Sequence, residues 1–256
     1  MLLAVDIGNT NIVFGCVDDK DEVVLFERIS TDHNATAAEY AVLIKTILEM
    51  NSFNVSDIDD AIMSSVVPSV TNTVKEAVRK LFGVDVMMAG PGVKTGLNIL
   101  IDNPAQLGSD QAVDAVAAIN QYPVPLIIID MGTATTLSVV DSKKNYRGGL
   151  ILTGMKVAAD ALTARTAQLP KVNFEVPPHV IGTNTIDCLK SGILYSNASA
   201  LDGIIDRIED ELGEKCTAVA TGGLSELVVP LCRRKIILDN NLLIKGLAII
   251  YRKNKK

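Results

Sequence analysis

Two short segments of the chain repeat one pattern: Asp6-Ile7-Gly8-Asn9-Thr10-Asn11 near the start, and Asp130-Met131-Gly132-Thr133-Ala134-Thr135 just past the middle. Each follows an apolar run, Leu2-Leu3-Ala4-Val5 or Leu126-Ile127-Ile128-Ile129, and each leads into another. The order reads as strand, tight turn carrying a carboxylate, a glycine and hydroxyls, then strand. Recurrence about half a chain apart predicts two related half-domains, each offering a turn to a shared ligand. Turns of this composition hold phosphate well.

The elements around the two turns follow the same order. In the first half, strands are expected at 2–7, 12–18 and 22–29, then a helix from Thr36 to about Met50, opened by a Thr36/Glu39 capping box. A strand near 58–64, a helix over 69–82 and a strand at 84–88 follow. A further helix, 105–122, is stopped by Pro123-Val124-Pro125 and joins the halves. The second half repeats strands at 126–130, 135–141 and 146–152, then helices at 154–165 and 183–213. A strand at 217–221, a short helix, a strand at 235–238 and a closing helix over 241–251 complete it. Because the strand after each turn returns antiparallel, each half is expected to build a mixed α/β sheet, with a cleft between them. The domains expected are 1–117 and 118–256.

Composition narrows the function. The net charge of −6 argues against a nucleic-acid backbone binder, and 4% aromatics with no Trp leaves few stacking platforms. There is no basic, apolar leader, and no apolar run approaches the roughly 18 residues of a membrane helix. Cys16, Cys188, Cys216 and Cys232 are scattered, with no C-x-x-C pair to signal zinc or a disulfide framework. A soluble cytoplasmic protein is expected, with neither nucleic acid nor membrane as a partner.

Several residues can carry chemistry. Gly8 permits a positive φ or a close ligand approach, while Asn9, Thr10 and Asn11 supply neutral donors. Asp6 has the wrong charge to touch phosphate directly and makes sense as the holder of a hydrated Mg²⁺. An ordinary hairpin turn, with Asp and Asn satisfying backbone donors, is the alternative. Asp130 can neutralise a cation, and Thr133 and Thr135 can donate to phosphate. Thr221-Gly222-Gly223-Leu224 is a third glycine-rich turn, either a nucleotide contact or a strand-to-helix corner. Gly108-Ser109-Asp110 opens the bridging helix; Asp110 can serve as a general base there, or Ser109 and Asp110 can simply cap the helix. Gly90-Pro91-Gly92-Val93-Lys94-Thr95 ends like a P-loop but lacks its glycines, and fits no dinucleotide fingerprint either. His33 and His179 are isolated.

Taken together, these segments resemble the type III pantothenate kinases, members of the acetate and sugar kinase/Hsp70/actin-like superfamily. The resemblance rests on D-x-G-N-T-N at 6–11, N-P-x-x-x-G-x-D at 103–110, D-x-G-T-A-T-T at 130–136 and G-G-x-I at 148–151. Arg165 to Pro170, Ile181 to Thr185 and Thr221-Gly222-Gly223 complete it. It implies an α/β fold of two ribonuclease-H-like (actin-like ATPase) domains with a nucleotide cleft between them. It also implies phosphorylation of pantothenate by ATP, the first step toward coenzyme A, in a homodimer. By the same resemblance Asp6, Ile7, Gly8, Asn9, Thr10, Asn11, Ile12, Val13 and Thr133 bind ATP, with Mg²⁺ held near Asp6 through water. Asp110 is the catalytic base, and Asp130 holds K⁺ or NH₄⁺. Gly108, Ser109, Asp110, Gln111 and Thr185 meet pantothenate. The chain departs from the pattern where Gln111 replaces the usual arginine, Ile101 a tyrosine and Thr153 a proline. Gln111 and Ile101 motivate one alternative, a kinase for a different small hydroxylated metabolite; another is a non-catalytic ATP-binding regulatory paralogue, against which the retained Asp6, Asp110 and Asp130 count.

Overall fold

The computed structural model describes residues 1–255. The chain falls into two compact units. The first comprises Met1–Leu97, Asp102–Asn120 and the segment from Asn241 onward; the second comprises Asn98–Ile101 and Gln121–Asn240.

The first unit starts with β1 (Leu2–Ile7), β2 (Asn11–Val17), β3 (Val23–Ser30) and α1 (Ala37–Met50), and continues with β4 (Asp60–Ser65), α2 (Pro68–Phe82) and β5 (Val86–Met88). Its sheet runs β3-β2-β1-β4-β5, with β2 antiparallel and β4 parallel to β1. Thr36 and Glu39 close the expected capping box on α1. Pro68 at the first turn of α2 and Gly83 in the left-handed region beyond its end set that helix's limits. Every residue of β1 is buried, because helices cover both faces of the sheet. Leu3, Val5 and Ile7 meet Tyr40, Ile44 and Leu48 of α1 and Val70, Val74 and Ala77 of α2. Leu2 and Ala4 meet the other layer, α3 (Ser109–Gln121) and the closing helix. Period-two alternation therefore puts Asp6 on the face that α3 covers.

The second unit opens with a strand the sequence reading did not anticipate, β6 (Asn98–Ile99), which pairs parallel with Asn145 and Tyr146. Two residues carry too little pattern to be read as a strand. Then come β7 (Leu126–Met131), β8 (Ala134–Val140), β9 (Asn145–Thr153), α4 (Met155–Ala164), α5 (Thr185–Leu212), β10 (Thr217–Thr221), the one-turn α6 (Ser225–Val228) and β11 (Ile236–Leu238). The sheet order is β11-β10-β7-β8-β9-β6. Without β6 this is the first unit's order again, as the doubled turn predicted. Leu194, Ala198, Leu201 and Ile205 of α5 pack into the core with Ile127, Ile129 and Met131. The apolar stripe of that helix thus faces inward.

The final helix, α7 (Leu242–Asn254), returns to the first unit. Ile244, Leu247 and Ala248 pack with Leu2, Ala4 and Ile62 of the sheet and with Val113 and Val116 of α3. The fit requires glycine at 246, where a β-carbon would stand 2.2 Å from the Val113 carbonyl oxygen. No helix among the described residues is long and apolar enough to cross a membrane.

Candidate active site

In the first unit, Ile7 pairs with Ile12 across the turn, and the Gly8 amide donates to the Asn11 carbonyl at 2.9 Å. Gly8 is not in the positive-φ region; the pressure for glycine comes from space, since a β-carbon would meet the Asn11 oxygen at 3.0 Å. Ile7 and Ile12 are core side chains, so they can offer a ligand only their backbone. Asn9 and Thr10 stand exposed at the tip. Thr31, at the end of β3, holds the turn from the side: its hydroxyl donates to the Gly8 carbonyl at 2.7 Å and its amide to the Thr10 carbonyl at 3.0 Å. Sequence reading missed Thr31, because only the antiparallel return of β3 brings it to the turn.

Asp6 is 8% exposed and stands in register with Ser64 on β4, whose hydroxyl donates to Asp6 Oδ1 at 2.6 Å. The following residue, Ser65, is in register with Ile7, and its carbonyl accepts a 3.2 Å bond from Ser109 Oγ at the start of α3. That bond ties the first turn of α3 to the strand end beside Asp6. It also commits the Ser109 hydroxyl proton to backbone.

Asp110 follows, half-buried in the first turn of α3, and its Oδ1 accepts the Gln111 amide at 2.8 Å. A carboxylate is favoured there by the positive end of the helix. Gly108 makes room for it, because a β-carbon at 108 would lie 2.4 Å from Asp110 Oδ1. The helix is shorter than the expected 105–122, because Pro104–Gln106 form a separate 3₁₀ turn, and Asp110 stands in its first turn, as expected of a segment that opens the helix.

In the second unit, Met131 pairs with Thr135, so this turn is one residue shorter than the first. Thr136 lies directly opposite Asp130 and shares its face. Thr135 belongs to the other face, with Met131, and is 2% exposed. Thr133 is exposed at the tip. The turn is backed by Gly154, where a β-carbon would lie 2.1 Å from the Thr133 carbonyl oxygen. The third glycine-rich turn is a packing partner of the second. Gly222, at φ +91°, would bring a β-carbon within 2.5 Å of Asp130 Oδ1. The helix after it has one turn, too short to present the dipole the sequence reading allowed for. Thr185 is exposed at the first position of α5, behind the Asn184 cap.

The donor set bears on which ions fit. No cluster of three His, Cys, Asp or Glu side chains able to hold a metal occurs among the described residues. One oriented carboxylate such as Asp6 suits Mg²⁺, which keeps most of its waters, better than a cation needing a full protein cage. Beside Asp130 a β-carbon at Gly132 would make only ordinary van der Waals contacts, the nearest with the Ala134 oxygen at 3.6 Å. The folded chain thus makes no demand for glycine at 132, as expected where something else approaches closely.

Comparison with known proteins agrees with this architecture. A family model described as type III pantothenate kinase matches residues 2–207. The chain is similar to the type III pantothenate kinase of an Exiguobacterium species, with 42% identity over 256 residues covering 100% of both chains. It is similar to that of Brevibacillus brevis to the same degree, 42% over 255 residues and 100% of both. Among solved structures, the activator of the 2-hydroxyisocaproyl-CoA dehydratase from Clostridium difficile, with bound ADPNP, superposes with a TM-score of 0.58. Identity there is 13%, with 100% of this chain and 98% of that one covered. At that identity the likeness is one of fold, that of the actin-like ATPases and sugar kinases. Identity near 40% along its whole length is a stronger statement, and by it the chain belongs to the type III pantothenate kinase family.

Proposed function

We propose that the chain transfers the γ-phosphoryl group of ATP to the primary hydroxyl of pantothenate, giving 4′-phosphopantothenate at the first step of coenzyme A biosynthesis, in the cytoplasm. Besides family membership, one observation carries the reading. The Asp110 carboxylate sits at a helix start fastened by Ser109 to the strand end beside Asp6. A proton acceptor and a phosphate-holding turn on one rigid framework are what phosphoryl transfer needs, because that chemistry is mostly positioning and electrostatics.

In this reading Asp110 takes the hydroxyl proton as the oxygen forms its bond to the γ-phosphorus. The bond from that phosphorus to the bridging oxygen breaks, and its electron pair leaves with ADP. The turn from Asp6 to Val13 holds the phosphates, with Asn9 and Thr10 offering side-chain donors. Mg²⁺, when bound at Asp6 through water, neutralises charge on the phosphate oxygens. Asp130 serves a monovalent cation, K⁺ or NH₄⁺, and Thr133 contacts ATP. Gly108, Ser109, Gln111 and Thr185 meet pantothenate, Ser109 through its backbone or its remaining lone pair. The two ribonuclease-H-like repeats are taken along the chain as 1–117 and 118–256, with the shared strand order in support, although Asn98–Ile101 belongs to the second compact unit and the segment from Asn241 onward to the first.

A homodimer is part of the proposal. Since the α5 stripe is spent on the core, the support comes from exposed apolar side chains elsewhere on the second unit, Ile151 at 77%, Val157 at 43% and Leu162 at 43%. A second reading, a kinase for a different hydroxylated metabolite, is favoured by Gln111 and Ile101. A coupled ADP-release assay over pantothenate and related alcohols, with and without K⁺, separates the readings. Turnover on pantothenate supports the first, turnover on another alcohol alone the second, and ATP binding without turnover would leave a regulator.

A further inference from the structure

The two units repeat a detail that neither turn explains. In each, the carboxylate near the end of the first strand faces a hydroxyl residue in register on the parallel neighbour: Asp6 with Ser64, and Asp130 with Thr221. Both hydroxyl residues are buried, Ser64 fully and Thr221 at 5% exposure. In the first unit the pair is closed by the 2.6 Å bond from Ser64 Oγ to Asp6 Oδ1. A short bond to a carboxylate away from water fixes the acceptor's orientation far more firmly than one at the surface.

Ser65 extends the arrangement. Its hydroxyl accepts from the Val67 amide at 3.0 Å and from Thr71 Oγ1 at 2.7 Å, while its carbonyl takes the Ser109 bond. Two consecutive residues of β4 therefore grip the Asp6 carboxylate and the helix that carries Asp110. Alternation puts Ser64 on the same face as Ile62, the face covered by α3.

We infer that Ser64 is a positioning residue for nucleotide-bound Mg²⁺: by holding Asp6 Oδ1 it fixes the orientation in which the carboxylate meets the hydrated ion. The inference rests on the reading of Asp6 as the Mg²⁺ residue. A purely structural serine, present only to satisfy a buried carboxylate, would affect stability and leave the linkage between Mg²⁺ and ATP untouched.

That difference is measurable without turnover. Calorimetric titration of the full chain with ATP, in Mg²⁺ and in EDTA, gives the factor by which the metal strengthens binding. Ser64→Ala should cut that factor about ten-fold, the usual scale for losing a group that orients a metal-binding side chain, with metal-free ATP affinity unchanged. Ser64→Thr should restore it, since threonine already occupies the counterpart position at 221. An undiminished factor in folded Ser64→Ala overturns the inference, as does a folded Ser64→Thr that has lost it. Should Ser64→Ala not fold, Ser64→Cys takes its place: its thiol is a far weaker donor to the carboxylate, so the factor should fall, and an undiminished factor in folded Ser64→Cys overturns the inference. Asp6→Asn separates the two levels. Loss in Asp6→Asn alone sinks the role of Ser64 and spares that of Asp6; an unchanged factor in Asp6→Asn sinks both.

Discussion

Gly222 lies so close to Asp130 that a β-carbon at position 222 would stand 2.5 Å from Asp130 Oδ1 and 2.6 Å from the Met131 amide nitrogen. The backbone there is also left-handed, at φ +91°, so two independent constraints demand glycine. Gly222→Ala should cost about 1–3 kcal/mol of stability and, by displacing Asp130, flatten the dependence of activity on K⁺. Thermal unfolding and a K⁺ titration check this. A variant as stable as the parent would show that the corner relaxes freely.

Asp110 is open to attack from two sides. Asp110→Asn keeps the helix start and removes the proposed proton acceptor, so turnover should fall about 10²–10⁴-fold with the melting temperature held. Gly108→Ala should also lose activity with little loss of stability, because the atom its methyl group meets is the movable end of the Asp110 side chain. Near-parental turnover in Asp110→Asn would remove it from the chemistry.

Gln111, which we propose meets the acceptor, brings it no charge, where the resemblance leads one to expect an arginine. If the acceptor is pantothenate, whose carboxylate invites a cation, Gln111→Arg should lower KM for it by roughly 10- to 100-fold with kcat little changed. An unchanged KM would mean that the site recognises its acceptor some other way.

Glu209 gives a pH test of the second unit. It is 4% exposed, and burial alone would push its carboxyl up. Lys215 at 2.7 Å, the Cys216 amide at 3.0 Å and Arg234 at 2.6 Å outweigh that and hold it below the ordinary 4.5. A depressed folded value contributes stability that is complete above about 4.5 and is lost as the pH falls through the folded value. Melting temperatures of the parent should therefore drop more steeply below pH 4.5 than those of Glu209→Gln, which should already be weaker at neutrality. Parallel curves would contradict the assignment.

How far the sequence could be read follows from the range of each interaction. The Thr36/Glu39 box spans three residues, and the strands flanking each turn are adjacent along the chain, so both were legible. The order of elements around Asp6 and Asp130 was legible because it occurs twice. Ser64 was not, since nothing local distinguishes it until a parallel register lays β4 beside β1, 58 residues away. Thr31 was opaque in the same way, and Gly222, legible as a corner glycine, kept its partner Asp130 hidden, because only the sheet topology brings the two together. The packing of α7 on the first sheet was equally hidden, because an amphipathic helix does not declare which sheet it covers.

The most direct test of the central claim is the identity of the product. Purified chain incubated with ATP, Mg²⁺, K⁺ and pantothenate should yield, by mass spectrometry and ³¹P NMR, pantothenate carrying one phosphoryl group on its primary hydroxyl, with one ADP for each. ADP formed without that product, or a phosphoryl group found only on a different alcohol, would contradict it.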